Sequence, residues 1–307
     1  MADTPLFDRI TIVGAGLIGS SVARAVRRGK LAGHLTIVDA SPEVLGEAKE
    51  LGLADSYHLG AAEGVAGAGL VMLAVPVGAM ASVGAVMAPA LMDGAIVSDV
   101  GSVKESVFKA LSPLLPSHVH LIPGHPVAGT EQSGPGAGFA SLFDGRWCIL
   151  TPDEEVDQSA VDKLTAFWQG LGSTVEIMEA RHHDLVLAIT SHVPHLIAYN
   201  IVGTASDLEE VTRSEVIKYS AGGFRDFTRI AASDPTMWRD VFLNNKDAVL
   251  EMLGRFSEDL TALQRAIRWG DGDALFDLFS RTREVRRRII DAGQDDAKAD
   301  FGRPHEE

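Results

Sequence analysis

Residues 9–24, Arg-Ile-Thr-Ile-Val-Gly-Ala-Gly-Leu-Ile-Gly-Ser-Ser-Val-Ala-Arg, place glycines 14, 16 and 19 between a β-branched apolar run and a helical pattern. This is G-x-G-x-x-G in the context of a strand, a tight turn and a helix. Gly14 permits the turn, Gly16 lets a pyrophosphate approach the backbone, and Gly19 lets the helix lie close on its strand, with the helix N-terminus facing the phosphates. A second apolar run, Leu35–Val38, ends in Asp39. That acid stands about 20 residues past Gly16, the spacing at which a carboxylate meets the adenosine ribose hydroxyls. Asp39 would repel the 2′-phosphate of NADP, so the reading is an NAD site. Its contacts are expected from Gly14, Gly16, Leu17, Ile18, Gly19, Asp39, Val75 and Ser102.

Outward from this stretch, short apolar runs alternate with helical patterns. The runs are 10–13, 35–38, 70–75, 96–100, 120–122, 147–150 and 175–178. Residues 20–28, 42–51 and 104–114 read as crossover helices, the second opening with Ser41 as N-cap and Pro42 at its first position. The pattern predicts an α/β fold: a doubly wound, Rossmann-type parallel sheet. Beyond Met178 helical periodicity takes over, and the expected domains are 1–179 for the dinucleotide, 180–292 as an all-helical domain for substrate and dimerisation, and 293–307 as a disordered polar tail. Pro194 is expected to kink or restart the first of these helices. Apolar spacing predicts one long helix over 238–266 and another over 275–289, the latter striped by Leu275, Leu278, Phe279, Val285 and Ile289 as core or subunit seam.

A chain of 307 residues with 46% hydrophobic content supports packed cores in two domains. No N-terminal stretch reads as a cleavable leader, and no charge-free apolar run is read as reaching the roughly 18 residues of a membrane helix, so the expectation is a soluble cytoplasmic protein. Cys148, the one cysteine, agrees with a reducing compartment and reads as a small apolar filler. The net charge of −15 argues against nucleic acid and anionic membranes as partners. Against that background, residues 213–239 carry five cations (Arg213, Lys218, Arg225, Arg229, Arg239) and three acids (Glu215, Asp226, Asp234), a place for a small anionic substrate or a solvated helix face.

Two strand ends carry candidate chemistry. Asp-Val-Gly-Ser-Val-Lys (99–104) sets Ser102 at the carboxyl edge of the sheet, as a site residue or an N-cap for the next helix. Gly-His-Pro-Val-Ala-Gly-Thr-Glu (124–131) pins His125 between glycine and proline in a rigid loop, the setting of a general base with a near-neutral pKa. His192 and His195 share a helix face with Tyr199 a turn further on. With His182 and His183 near, zinc is considered and set aside, because no carboxylate or cysteine joins them at a ligand spacing; the histidines read as a polar cleft lining or as packed core. Arg225 and Arg229, four apart, offer guanidinium forks to a carboxylate, although one of them can pair with Asp226 or Asp234 instead. Together these residues describe hydride abstraction from a hydroxyl-bearing carbon of an anionic substrate.

Four ordered blocks, Val-Gly-Ala-Gly-Leu-Ile-Gly (13–19), Asp-Val-Gly-Ser-Val-Lys (99–104), Gly-His-Pro-Val-Ala-Gly-Thr-Glu (124–131) and Gly-Gly-Phe-Arg-Asp-Phe-Thr-Arg-Ile-Ala (222–231), with Ser-His-Val-Pro-His (191–195) before the last, resemble the bacterial prephenate, arogenate and cyclohexadienyl dehydrogenases of tyrosine biosynthesis. The resemblance runs from about Arg9 to Ala266. It implies NAD-dependent oxidative decarboxylation of a cyclohexadienol to a phenol, with His125 accepting the hydroxyl proton, Ser102 orienting that hydroxyl and Arg229 binding a substrate carboxylate. His192, His195, Thr130 and Glu131 would shape the pocket and Trp238 would pack at its edge. Glu131 would attract the ammonium of arogenate and the neutral Gln132 would tolerate either substrate, so broad specificity is expected. A homodimer joined through the helical domain is expected too. No regulatory domain or fused mutase is read after the helical half, so tyrosine inhibition would act at the active site. The competing readings are a β-hydroxyacid-type dehydrogenase, which would use a lysine such as Lys218 or Lys246 of the helical half, and a non-catalytic NAD-responsive sensor.

Overall fold

The computed structural model describes residues 4–130, 132–212 and 218–291. Glu131, Arg213 and the expected tail at 293–307 lie outside the described residues. Strands β1 (Phe7–Val13), β2 (Ala32–Val38), β3 (Ser56–His58), β4 (Leu70–Leu73), β5 (Ile96–Asp99) and β6 (His120–Leu121) form one sheet in the order β3-β2-β1-β4-β5-β6. Every pair in it is parallel. That order, reversing direction beside β1, is the doubly wound arrangement in which ligands sit beyond the carboxyl ends of the strands.

Period-2 side-chain alternation divides the strands between two cores. Ile10, Ile12, Leu35, Ile37, Leu70, Met72 and Ile96 face a core closed by α1 (Leu17–Gly29) and by Phe167 and Trp168 of α6 (Gln158–Gly170). Val38, Val71, Leu73 and Val97 face a second core with Met80 and Met87 of α4 (Met80–Met87) and Leu111 of α5 (Glu105–Leu111). A sheet buried on both faces needs runs apolar at every position, which is why the strands are legible as short continuous blocks. The helices α2 (Pro42–Glu50) and α3 (Ala61–Val65) complete the crossovers. Ser41 caps α2 by accepting from Val44 N–H at 3.2 Å, with Pro42 in the first turn, as its sequence implies.

The last two expected strands leave this sheet. β7 (Gly124–Pro126) pairs antiparallel with β8 (Trp147–Leu150), and β9 (Thr174–Ile177) runs parallel to β8. Because β7 follows β6 after two residues and turns onto β8, His125 is carried out of the main sheet at its carboxyl edge.

From Ala180 the described residues are helical: α7 (Ala180–Leu187), a π-helical turn (Ala188–His192), α8 (Val193–Thr212), α9 (Gly222–Thr228), a 3-10 turn (Arg229–Ala232), α10 (Pro235–Asn244), α11 (Lys246–Trp269) and α12 (Gly272–Asp291). The expected disturbance at Pro194 is thus a widened turn just before it, a common device at functional sites. The helix expected over 238–266 breaks at Asn245, whose backbone is non-helical at φ −112° and ψ 33°. Residues 185–206 include no Asp, Glu, Lys or Arg, and the helical span Ala180–Asp207 is long and apolar enough to cross a membrane, contrary to the sequence expectation. Within it Leu187, Ala188, Val193 and Ala198 are buried, as are the polar His183, Asp184 and His192, while Ile189, Ile201 and Val202 are exposed.

By contacts the chain groups into residues 1–252 and 253–307. The second unit holds the rest of α11 and all of α12, and it exposes Trp269 (73%), Phe276 (71%) and Ile267 (67%).

Candidate active site

The glycine turn has the shape a dinucleotide needs. Gly14 sits at φ +101°, and a Cβ there would meet the Ala74 carbonyl oxygen at 2.5 Å, so only glycine fits. A Cβ on Gly19 would run into the Gly14 carbonyl, which is how α1 lies so close to β1. At Gly16 a Cβ would meet nothing within 4 Å, and Gly16 caps α1 with no side chain on its first amides. Open space over unsatisfied amides is the cradle of a phosphate. Asp39, one residue past β2, accepts from Ala15 N–H and Ser41 N–H, each at 2.9 Å, so its carboxylate is held at the rim of that cradle. Leu17 and Ile18 open α1, Leu17 buried and Ile18 packed on the first core, while Val75 follows β4 and packs on the second.

The strand ends beyond β5 and β6 are fastened by a buried ion pair that sequence reading passes over. Lys104 Nζ lies 2.5 Å from Asp99 Oδ2, and neither side chain is exposed. Lys104 Nζ also donates to the Gly124 carbonyl at 2.6 Å, and Asp99 Oδ1 accepts from Gly124 N–H at 3.1 Å. Burial pushes the Asp99 carboxyl up and the Lys104 ammonium down, while their pairing opposes both shifts. Asp99 Oδ2 also accepts from Gly101 N–H at 2.8 Å, while the contacts from Lys104 Nζ and Asp99 Oδ1 converge on Gly124, the residue before His125.

His125 is buried on β7, with Nδ1 at 2.9 Å from Nε2 of His183 on α7. His183 Nδ1 lies 2.8 Å from Asp184 Oδ1. Asp184 in turn accepts from Lys104 N–H at 2.8 Å and Glu105 N–H at 3.0 Å, so it caps α5 from across the fold. Ser102 is therefore not the cap of that helix. Burial, followed by the positive fields of His183, Lys104 and His192, holds the pKa of His125 well below 6.5. Its imidazole is neutral at pH 7, a ready proton acceptor.

The second group of predicted residues gathers on the helical side of the same unit. The π turn brings His192 fully inside, where Asn245 Nδ2 donates to the Asp184 carbonyl at 2.9 Å and to His192 Nδ1 at 3.1 Å. The break at Asn245 is the local cost of aiming that amide inward. Desolvation lowers the His192 pKa to about 4, with the Ser102 backbone and Asp184 pulling the other way. His195 donates from Nδ1 to the Ser191 carbonyl at 2.8 Å and stacks on Trp238 with ring centroids 3.7 Å apart. Burial and then the field of Arg229 lower the His195 pKa, against the pull of the Ser191 carbonyl. Val103, next to Ser102, packs with Trp238 and Val241 of α10, and Tyr199 donates to the Ser233 carbonyl at 2.7 Å. Arg225 instead faces Asp226 at 4.0 Å. Thr130 and Gln132 lie on the exposed loop after β7, Gln132 N–H donating to Thr130 Oγ1 at 3.2 Å. Lys218 and Lys246 are both exposed.

Asp184 and Asn245 are thus members of the site that spacing did not single out, while His183, read as cleft lining or packed core, is fully buried against His125. The available signal was the acid directly following a histidine on one apolar helix.

Comparison with known proteins places the chain in a family. The family model described as "Prephenate dehydrogenase, nucleotide-binding domain" matches residues 22–177, and that described as "Prephenate dehydrogenase, dimerization domain" matches 179–281. A cyclohexadienyl dehydrogenase of Zymomonas mobilis is 44% identical over 92% of this chain and 96% of its own, and a prephenate dehydrogenase of Bacillus subtilis is 32% identical over 91% and 75%. Among solved structures, prephenate dehydrogenase from Aquifex aeolicus in complex with hydroxyphenyl propionate and NAD+ superposes with a TM-score of 0.86 at 33% identity, covering 92% of this chain and 98% of that one. Synechocystis arogenate dehydrogenase superposes at 0.77 with 26% identity, over 92% and 99%. With both family models matched in order over most of its length, and a relative 44% identical over 92% of it, the chain belongs to the prephenate dehydrogenase family.

Proposed function

We propose that this chain is a cyclohexadienyl dehydrogenase that converts prephenate to 4-hydroxyphenylpyruvate and arogenate to tyrosine, with NAD+ as oxidant. The observation that carries the reading is His125: a buried, neutral imidazole at a strand end, in a chain 44% identical to a cyclohexadienyl dehydrogenase. The open backbone at Gly16, the uncapped start of α1 and the carboxylate of Asp39 fit the pyrophosphate and adenosine ribose of NAD. Bound there, NAD+ supplies the hydride acceptor.

In this reading His125 Nε2 takes the C4 hydroxyl proton as the C4–H bond gives up its electron pair and a C4 carbonyl develops. The C1 carboxylate then leaves as CO2, its electron pair runs through the ring to that oxygen, and His125 returns the proton to the phenol. Aromaticity makes the sequence effectively irreversible, so the protein's work is to orient the substrate, hold the proton and exclude water. Ser102 orients the hydroxyl, Arg229 takes a substrate carboxylate, and His195 and Trp238 form the apolar-edged wall beside it, backed by the buried His192. A guanidinium fork matches a carboxylate better than an ammonium does.

We further propose a homodimer built through the helices after residue 180. The apolar side chains exposed on 253–291 support this, as does the description of the second family model. A cytoplasmic location fits a biosynthetic enzyme with a single buried cysteine.

The test is NADH absorbance with purified protein, NAD+ and either prephenate or arogenate, with NADP+ as control. Turnover of both substrates with CO2 release and a preference for NAD+ is the expected result. A preference for one substrate above about a thousandfold, roughly 4 kcal/mol, would overturn broad specificity.

A further inference from the structure

The hydrogen bonds around His125 hold more information than its position. Asp184 receives backbone N–H groups at both carboxylate oxygens, from Lys104 at Oδ1 and Glu105 at Oδ2. A carboxylate so placed is an acceptor, and the third group pointing at it is His183 Nδ1 at 2.8 Å. The hydrogen in that contact therefore belongs to His183. A neutral His183 with its proton on Nδ1 presents a bare Nε2 to His125 Nδ1, 2.9 Å away. One hydrogen is needed there too, and only His125 can supply it. The ring planes stand at 76° with centroids 5.1 Å apart.

Resting on the reading of His125 as the proton acceptor, we infer that Asp184 and His183 are positioning residues that hold His125 as its Nδ1–H tautomer and leave Nε2 bare for the substrate hydroxyl. Which imidazole nitrogen is bare is set by the hydrogen bond that the other nitrogen makes. Without this chain the ring is free to carry its proton on Nε2, the form common for exposed histidines, and then it donates to a hydroxyl it should deprotonate. The groups facing the two rings are Lys104, Asp99, Asp184 and His192. A cationic His183 held by Asp184 is the competing state, and it would donate to His125 Nδ1 and force the His125 proton onto Nε2. Complete burial of both His183 and Asp184, with His183 pushed below its ordinary pKa, opposes that state.

The experiment is 15N NMR of imidazole-labelled protein near pH 7, with His125 and His183 assigned by difference from His125→Asn and His183→Gln. The expected result is Nδ1–H on both rings. A proton on Nε2 of His125, or an imidazolium at His183, overturns the proposal even if prephenate is oxidised; absence of turnover with sound tautomers would instead sink the proposed function. A kinetic arm follows. His183→Phe removes both ends of the chain and is expected to lower kcat at least tenfold with KM for substrate unchanged. His183→Gln, which keeps an acceptor toward His125, is expected to restore most of that loss. Full kcat in His183→Phe, or equal damage in both variants, overturns the assignment; if the phenylalanine variant does not fold, the tautomers of the unmodified protein decide.

Discussion

The Lys104 ammonium lies 2.5 Å from the Asp99 carboxylate with neither side chain exposed, and the two grip Gly124 by its carbonyl and its N–H. The pair clamps β7 in place directly before His125 and so ties an ionic contact in the sheet to the geometry of the base. A buried pair gains little net stability over apolar residues of the same shape, yet breaking it strands a charge.

Lys104→Met is therefore expected to destabilise the fold by about 3–5 kcal/mol in urea unfolding, because Asp99 is left buried and unpaired. The double variant Lys104→Met with Asp99→Leu should recover part of that loss. A single-variant loss below about 1 kcal/mol would show the pair to be solvated in solution.

The pKa of His125 lies well below 6.5, chiefly through burial and then through the fields of His183, Lys104 and His192. As base in the free enzyme it must be neutral, so kcat/KM is expected to stay flat as pH falls through 6.5 and to decline only further down. An acid limb at 6.5 or above in kcat/KM would contradict the burial of this ring.

His192 makes a separate statement about stability. Its pKa falls from 6.5 to about 4 in the fold, so between those values the unfolded chain binds more protons than the native one. Stability then rises with pH across that window and is lost as pH drops from 6.5 toward 4. The loss attached to His192 alone is about 3 kcal/mol by pH 4, and His192→Gln should flatten the urea midpoint against pH over that range. An unchanged slope would mean that the ring is protonated in the native state.

Much of this was legible because β4, β5 and the carboxyl halves of β1 and β2 are buried on both faces and read as continuous apolar blocks, whereas the half-buried β3 carries no such block and was not read. Gly14, Gly16, Gly19 and Asp39 share one turn, where local spacing and spatial arrangement coincide. His125 was readable for a similar reason: Gly124 and Pro126 mark its loop directly. The Asp99–Lys104 pair, the Asp184 cap on α5 and the Asn245 contact to His192 were not legible, since their partners lie 5, 80 and 53 residues apart and no local pattern announces a buried hydrogen bond. Asn245 also split a helix that apolar spacing read as continuous, a tertiary contact overriding periodicity. β7 escaped notice because three residues bounded by glycine and proline carry no alternation.

The glycines of the turn separate fold from binding. Gly16→Val faces open space and is expected to leave the melting temperature within about 2 °C while raising KM for NAD+ tenfold or more, since the side chain enters the phosphate cradle. Gly19→Ala drives a methyl into the Gly14 carbonyl and should cost about 1–3 kcal/mol of stability. Equal melting temperatures for the two would contradict the packing of α1 on β1.

Arg229 carries the substrate end of the proposal. It begins the 3-10 turn after α9, and its positive charge helps depress the pKa of His195, the ring that stacks on Trp238. A guanidinium contributes to carboxylate binding before and during hydride loss alike, whereas His125 acts on the hydroxyl only as charge develops. Arg229→Leu is therefore expected to raise KM for prephenate about a hundredfold, near 3 kcal/mol, with kcat reduced less than tenfold, while KM for NAD+ stays put. Arg229→Lys keeps the charge but not the fork and should fall between the two. Steady-state kinetics with both substrates checks this, and a collapse of kcat with unchanged KM would move Arg229 from binding the carboxylate to acting on the reacting ring.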